Sequence, residues 1–233
     1  MSLTRHLVVF AKAPRIGEVK RRLAAGAGDA AAWQFYRRTA GEVLRRVAGD
    51  KRWRCWLAVT PDRFSAKGRF WPPEIARTAI LRIPQGPGDL GQRMARPLKR
   101  LPPGPVVIIG TDIPDICARH VREAFEALER HDAVFGPASD GGYWLIGLRR
   151  RPQRREFAAR RLFRDVRWST ETALKDTRAN LDPRSRVALL ERLEDIDDVI
   201  ALDRWRAGRK ARKFVSGAAG AFSSDLLSTT RRR

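Results

Sequence analysis

Only two cysteines occur in the 233 residues, Cys55 and Cys117, far apart and with no Cys-x-x-Cys spacing. That excludes a cysteine zinc cluster and a disulfide framework, and reads as buried free thiols of a cytoplasmic protein. The three histidines, His6, His120 and His131, are scattered, and none stands at a ligand spacing with a carboxylate. Ser-His-Asp nucleophilic catalysis therefore has no support. Long apolar runs are also missing: nothing approaches the roughly 18–20 residues of a membrane span. The segment Met1–Leu7 has no long apolar core or small-residue cleavage site, so a signal peptide is not expected. Acidic residues are few against basic ones, 26 to 48, and the formal charge is +22. A surplus of that sign suits nucleic acid, anionic lipid or phosphorylated small molecules. The basic residues are mostly arginine, however, and run along the whole chain. No RNA-binding signature, zinc finger or basic heptad is present, and the seven tryptophans are not interleaved with them. A specific nucleic-acid partner is not expected.

What the chain does have is a repeating alternation of strand and helix signals. His6–Ala11, Arg54–Thr60, 79–83 and Val106–Gly110 read as strands. Residues 29–48 carry Trp33, Tyr36, Ala40, Val43, Leu44 and Val47 at helical spacing. Asp89 is placed to N-cap a helix through about Leu101, which Pro97 should kink or shorten. A helix over 118–131 comes next, then paired strands at 133–136 and 143–148. A helix begins at the possible cap Ser169, a short strand covers 187–190, and a last helix spans 197–206. This order predicts one α/β domain, an αβα sandwich on a mainly parallel sheet with an antiparallel excursion. Domain limits of 1–208 are expected, with a basic, mobile tail over 209–233: residues 204–233 carry nine basic residues and one acid, Asp225.

The most informative stretch is Val106-Val107-Ile108-Ile109-Gly110 running into Thr111-Asp112-Ile113-Pro114-Asp115. Four β-branched residues make a fully buried strand, and ligands of open α/β sheets bind outside the carboxyl ends of such strands. Asp112, just past that end, is either a ligand to a hard divalent cation, Mg²⁺ or Mn²⁺, or a turn carboxylate. Asp115 is placed to cap the next helix. The loop after the first strand holds Lys12 and Arg15, with Lys20, Arg21 and Arg22 close behind. It is either a phosphate-binding loop or a basic surface loop, but neither a P-loop nor a Rossmann fingerprint. Asp140-Gly141-Gly142 reads as a ligand-contacting loop or as a hairpin turn. In Glu194-Asp195-Ile196-Asp197-Asp198, alternation puts Asp195 and Asp197 on one side of an extended segment. There they complete a metal shell, or else Asp197 or Asp198 caps the last helix.

Taken in order, these motifs resemble a known family. They are Phe10–Lys20, Gly88-Asp89-Leu90-Gly91-Gln92-Arg93-Met94, Gly110–Asp115, Gly136–Leu148, Trp168-Ser169-Thr170 and Asp195-Ile196-Asp197. Over residues 5–206 the chain resembles the radical-SAM/selenodomain-associated, arsenosugar-biosynthesis-type glycosyltransferases, of the nucleotide-diphospho-sugar transferase (GT-A) superfamily. The resemblance implies a metal-dependent transferase acting on a nucleotide-sugar or nucleotide. It implies that Lys12, Arg15 and Lys20 face phosphates and that Gly88, Asp89 and Arg93 lie by the nucleoside. By the same resemblance Asp112 would take the metal, and Asp140, Gly141, Gly142 and Tyr143 would line the acceptor side; with the alternation reading, Asp195 and Asp197 join Asp112 as candidate metal ligands, and Asp140 and Lys20 are the candidate catalytic pair. The chain departs from the family at Ile16, where proline is usual, and at Lys20-Arg21-Arg22-Leu23, where Lys-Thr-Arg-Leu is usual. It also resembles in outline the 2-phospholactate guanylyltransferases, so nucleotidyl transfer is the alternative. A non-enzymatic anion- or nucleic-acid-binding role is the third reading, and it leaves the carboxylate clusters unexplained.

Overall fold

The computed structural model describes residues 3–64, 71, 80–150 and 161–209. Seven strands form one sheet: β1 (His6–Lys12), β2 (Arg54–Thr60), β3 (Leu81–Pro84), β4 (Val106–Ile109), β5 (Ala133–Pro137), β6 (Tyr143–Leu148) and β7 (Val187–Leu189). Their spatial order is β3-β2-β1-β4-β6-β5-β7. Pairs β3/β2, β2/β1, β1/β4 and β5/β7 are parallel; β6 is antiparallel to both β4 and β5. The parallel sheet with an antiparallel excursion expected from the sequence is the sheet observed.

Alternation along the central strands creates two cores. Leu7, Val9, Val107 and Ile109 face one layer, where they meet Val43, Leu44 and Val47 of α2 (Asp29–Val47) and Val121, Phe125 and Leu128 of α4 (Ala118–Arg130). Val8, Val106 and Ile108 face the other, against Met94, Ala95 and Leu98 of α3 (Leu90–Arg100). β4 is buried along its whole length, as a central parallel strand with helices on both faces must be. A third cluster joins Leu23 of α1 (Arg21–Ala27) and Ala32 of α2 to Ile196 and Leu202. It docks the last helix, residues 199–209, over the start of the chain.

Several local expectations change. Pro97 does not end α3, which continues three residues past it; the Leu101 N–H bonds the Pro97 carbonyl, 3.1 Å. A proline near a helix end removes few hydrogen bonds, and Met94, Ala95 and Leu98 hold this helix by burial. Ser169 is not a cap. It sits at φ 60°, and α5 (Ala173–Ala179) begins after it, with Thr172 as its N-cap. Asp115 does not cap α4, whose N-cap is Cys117; its carboxylate accepts instead from Trp205 Nε1, 3.4 Å. Both cysteines are free, but only Cys55 is buried. Burial pushes the Cys55 thiol up to about 12. The last helix is capped by Asp198, whose Oδ1 accepts from the Ala201 N–H at 2.8 Å, and it extends through 209. The rest of the expected tail lies outside the described residues.

Candidate active site

Four parallel strands, β1 to β4, end on the same side of the sheet, and a cleft of about 840 Å³ opens over their carboxyl ends. Lys12, Thr60, Gln85 and Asp112, each at or just past a strand end, line it. β1 and β4 are neighbours whose outgoing connections run in opposite directions, β1 to β2 on one side and β4 to β5 on the other, the place where open α/β sheets form a ligand crevice. The opposite wall carries Asp140, Gly142, Tyr143 and Trp168 to Thr170.

At the base of this cleft Lys20 meets three carboxylates. Its Nζ lies 2.8 Å from Asp197 Oδ1, 2.9 Å from Asp195 Oδ1 and 3.8 Å from Asp112 Oδ1. The Lys20 side chain is only 4% exposed. Ile196 explains the register: it is buried in the third cluster, so its neighbours Asp195 and Asp197 project the other way, toward Lys20. The segment is held beside β5 by bonds from Leu193 N to the Pro137 carbonyl, 3.1 Å, and from Ser139 N to the Leu193 carbonyl, 3.2 Å.

Burial works against the Lys20 charge. The pull of Asp112, Asp195 and Asp197 and the bond to Asp197 outweigh it and hold the ammonium well above its ordinary range. Three carboxylates still exceed one ammonium, and Arg22 reaches only Asp197, at 3.6 Å. The surplus falls on Asp195, the least exposed of the three. Burial first, then the charges of Asp112 and Asp197, raise its carboxyl to about 6 despite the Lys20 contact.

A tyrosine and a tryptophan of α2 staple the first loop. Tyr36 Oη accepts from the Lys12 N–H, 2.8 Å, donates to the Lys12 carbonyl, 2.9 Å, and lies 3.3 Å from Thr111 Oγ1. Burial, then the Asp112 charge, keep the Tyr36 phenol protonated. Trp33 Nε1 donates to the Pro14 carbonyl, 2.8 Å. Buried Gln85 donates to the carbonyls of Ala11 and Ala58, 3.2 and 3.0 Å, tying the ends of β1 and β2. Helical spacing marked Tyr36 only as core, and nothing in the sequence marked Gln85: both act through backbone groups that only the fold brings near.

The expected site residues divide. Lys12, Lys20, Arg93, Asp112, Asp140, Gly142, Tyr143, Asp195 and Asp197 line the cleft. Arg15, Gly88, Asp89 and Gly141 do not. Arg15 pairs with Glu18, 2.6 Å. Asp89 is taken by α3, which needs a cap for its unpaired amides: its carboxylate accepts from the Gln92 N–H, 2.7 Å, in a reciprocal capping box. Gly88 supports that box, since a side chain there would meet Gln92. Lys20, expected to face phosphate, faces carboxylates. His120, which the sequence reading left without a role, has Glu191 Oε2 3.3 Å from its Nε2.

Gly141 has a structural task. Its φ is +85°, and a Cβ there would lie 2.1 Å from the Glu171 carbonyl. Its own carbonyl accepts from the Leu174 N–H, 3.1 Å. Gly141→Ala is expected to cost about 1–3 kcal/mol and to part the Asp140–Gly142 loop from the segment leading into α5, within the same wall of the cleft. An unchanged melting temperature with unchanged tryptophan fluorescence would contradict this.

The sheet order and the cleft define the class: this is the nucleotide-diphospho-sugar transferase-like α/β fold. A candidate nucleotide-diphospho-sugar transferase from Desulfovibrio desulfuricans G20 superposes with a TM-score of 0.70 at 28% identity, over 87% of this chain and 85% of that one. 4-Diphosphocytidyl-2C-methyl-D-erythritol synthase from Anaerococcus prevotii DSM 20548 gives 0.58 at 12% identity, over 89% and 98%. CMP:2-keto-3-deoxy-manno-octonic acid synthetase, solved with CTP, gives 0.55 at 10%, over 90% and 99%. At those two identities the likeness is one of fold. The chain itself belongs to the family of uncharacterized proteins conserved in bacteria, DUF2064, whose model matches residues 43–170. No curated protein matches it. Among the described residues no helix is long and apolar enough to cross a membrane.

Proposed function

We propose that this protein is a metal-dependent glycosyltransferase that takes its sugar from a nucleotide-sugar donor, of the radical-SAM/selenodomain-associated kind. One observation carries the reading: Asp112, Asp195 and Asp197 converge from two separate elements at the base of a large cleft whose rim holds Lys12, Arg21 and Arg22. A catalyst of diphosphate departure needs fixed positive charge where negative charge develops. The likeness to the Desulfovibrio protein supports the donor class.

The donor set suits a hard divalent cation, Mg²⁺ or Mn²⁺, since all three groups offer carboxylate oxygen. Among the described residues no three acidic, thiol or imidazole groups stand at metal-ligand spacing; the Lys20 ammonium lies between them instead. When bound, the ion would supply charge against the leaving diphosphate.

The chain's own residues do the rest. Lys12 and the Arg21–Arg22 pair lie on the side of the cleft suited to phosphate. Asp140 sits on the opposite wall, its Oδ1 fixed by the Gly142 N–H at 2.9 Å, and takes the proton of the acceptor hydroxyl. That oxygen bonds the anomeric carbon as the sugar–phosphate C–O bond breaks and the nucleoside diphosphate leaves. Tyr143, half-buried and with its phenol kept protonated by desolvation, and Trp168 offer an apolar wall for the acceptor.

A thermal-shift panel of nucleoside triphosphates and nucleotide-sugars, each with Mn²⁺ or Mg²⁺, tests the proposal, because a ligand of the native state raises apparent stability. Preference for a nucleotide-sugar, with free nucleoside diphosphate released when an acceptor is added, is expected. Preference for a triphosphate, with pyrophosphate released on adding a phosphorylated acid, would replace it with nucleotidyl transfer. No nucleotide response, with salt-sensitive RNA binding, would favour the non-enzymatic reading.

A further inference from the structure

We propose that Lys20 is a resident cation that holds the carboxylate seat in the free protein and gives it up to a divalent metal when a diphosphate enters the cleft. This rests on the reading above that Asp112, Asp195 and Asp197 hold the metal. The ammonium is seated in the middle of them, at 2.8, 2.9 and 3.8 Å, and is nearly sealed from water. A divalent ion bonds carboxylate oxygen at about 2.0–2.6 Å. Metal and ammonium would then lie within bonding distance of the same oxygens, where like charges repel strongly. One seat therefore takes one cation at a time.

The backbone agrees with a placed side chain. Lys20 adopts φ 47°, ψ 52°, a left-handed conformation that residues with a Cβ rarely take, and it stands at the N-cap of α1 without capping it. The Lys20 carbonyl starts the helix, accepting from the Ala24 N–H at 2.9 Å, while its side chain makes no cap and lies against the carboxylates instead. Lys20 also lines the same cleft as Lys12, Arg21 and Arg22, so an ammonium released from the seat stays beside the phosphate position. Entry of phosphate draws Lys20 out, and the emptied carboxylates then demand the metal. Metal and diphosphate must each strengthen the other's binding by the same factor, and neither binds well alone. The resident lysine thereby restricts metal loading to the ligand-bound protein.

The test is Mn²⁺ calorimetry on the full chain, with and without saturating inorganic pyrophosphate, corrected for Mn²⁺ binding by pyrophosphate itself. The proteins compared are the wild type, Lys20→Met and Lys20→Gly; glycine suits the left-handed backbone if methionine impairs folding. Without pyrophosphate, both variants are expected to bind Mn²⁺ at least tenfold more tightly than the wild type. Pyrophosphate is expected to tighten Mn²⁺ at least tenfold in the wild type and far less in the variants. Equal Mn²⁺ affinity in all three proteins overturns the exchange while keeping the metal site. Equal tightening by pyrophosphate in all three does the same. Absence of Mn²⁺ binding in every protein and condition overturns the metal reading as well. The wild-type arm alone decides against the exchange if Mn²⁺ binds the free protein as tightly as the pyrophosphate-loaded one.

Discussion

Asp112→Asn is expected to abolish metal-dependent nucleotide binding and lower turnover by about two orders of magnitude or more, while the fold remains. Asp112 is half exposed, and its ion pair to Lys20 is the longest of the three. Its charge raises the Asp195 carboxyl and the Tyr36 phenol, so removing it relieves repulsion there but gives up its pull on the buried Lys20 ammonium. Linkage gives the sign. A carboxyl raised in the folded state, from 3.8 to about 6, destabilises the fold as pH climbs between those values, and the whole cost is present above the upper one. That relief grows as pH rises through this window, while the lost attraction for Lys20 opposes it, so the variant is expected to fold with a melting temperature within a few degrees of the wild type near neutral pH. Calorimetry with and without EDTA reads the binding. Nucleotide binding that is equal in both proteins, and equally insensitive to EDTA, would show that Asp112 serves only the turn after β4.

Arg150→Met should carry a large stability cost. Arg150 is 8% exposed. Its Nε donates to the Gly104 carbonyl at 2.7 Å, Nη1 to those of Leu98 and Leu101 at 2.9 and 3.1 Å, and Nη2 to that of Pro102. These are the carbonyls that the end of α3 and the turn after it leave without partners, and a cation at a helix carboxyl end is favourable in itself. Removing the guanidinium strands several buried acceptors at once. A loss of about 3 kcal/mol is expected, a fall of about 6–12 °C in melting temperature for a domain of this size. Arg150→Lys should recover only part of it, because an ammonium lacks the planar fork. A melting temperature within a degree of the wild type would refute the assignment.

Arg150 shows where sequence reading stops. In the chain it is one of a run of arginines, Arg149-Arg150-Arg151, and nothing local separates the one that locks a helix end from its neighbours. Its partners are 46 to 52 residues away. Gln85 is the same kind of case, a polar residue after a short strand whose amide joins two strand ends. Asp89 is the reverse. Its cap was legible from local chemistry, and the capping box it forms takes the carboxylate that the motif resemblance would lend to a nucleoside.

The carboxylates divide along the same line. The strand at Val106–Ile109 and the acid just beyond it were legible because β-branched residues in an unbroken run have one stable place, the buried centre of a sheet, and the residues after the run must emerge at its edge. The alternation of Asp195 and Asp197 about buried Ile196 was legible for a similar reason, the two-residue period of an extended chain. Local order, strand type and the sharing of one face by two acids were thus determined by sequence alone, because each arises from steric and solvent preferences acting over a few residues. That Asp112 and the Asp195–Asp197 pair meet, and that Lys20 rather than open water lies between them, was decided only by the tertiary structure. The contacts span 83 to 177 residues, and their geometry depends on the packing of α1, α2 and the last helix around Leu23, Ala32, Ile196 and Leu202. The sequence names those residues, but only packing brings them together.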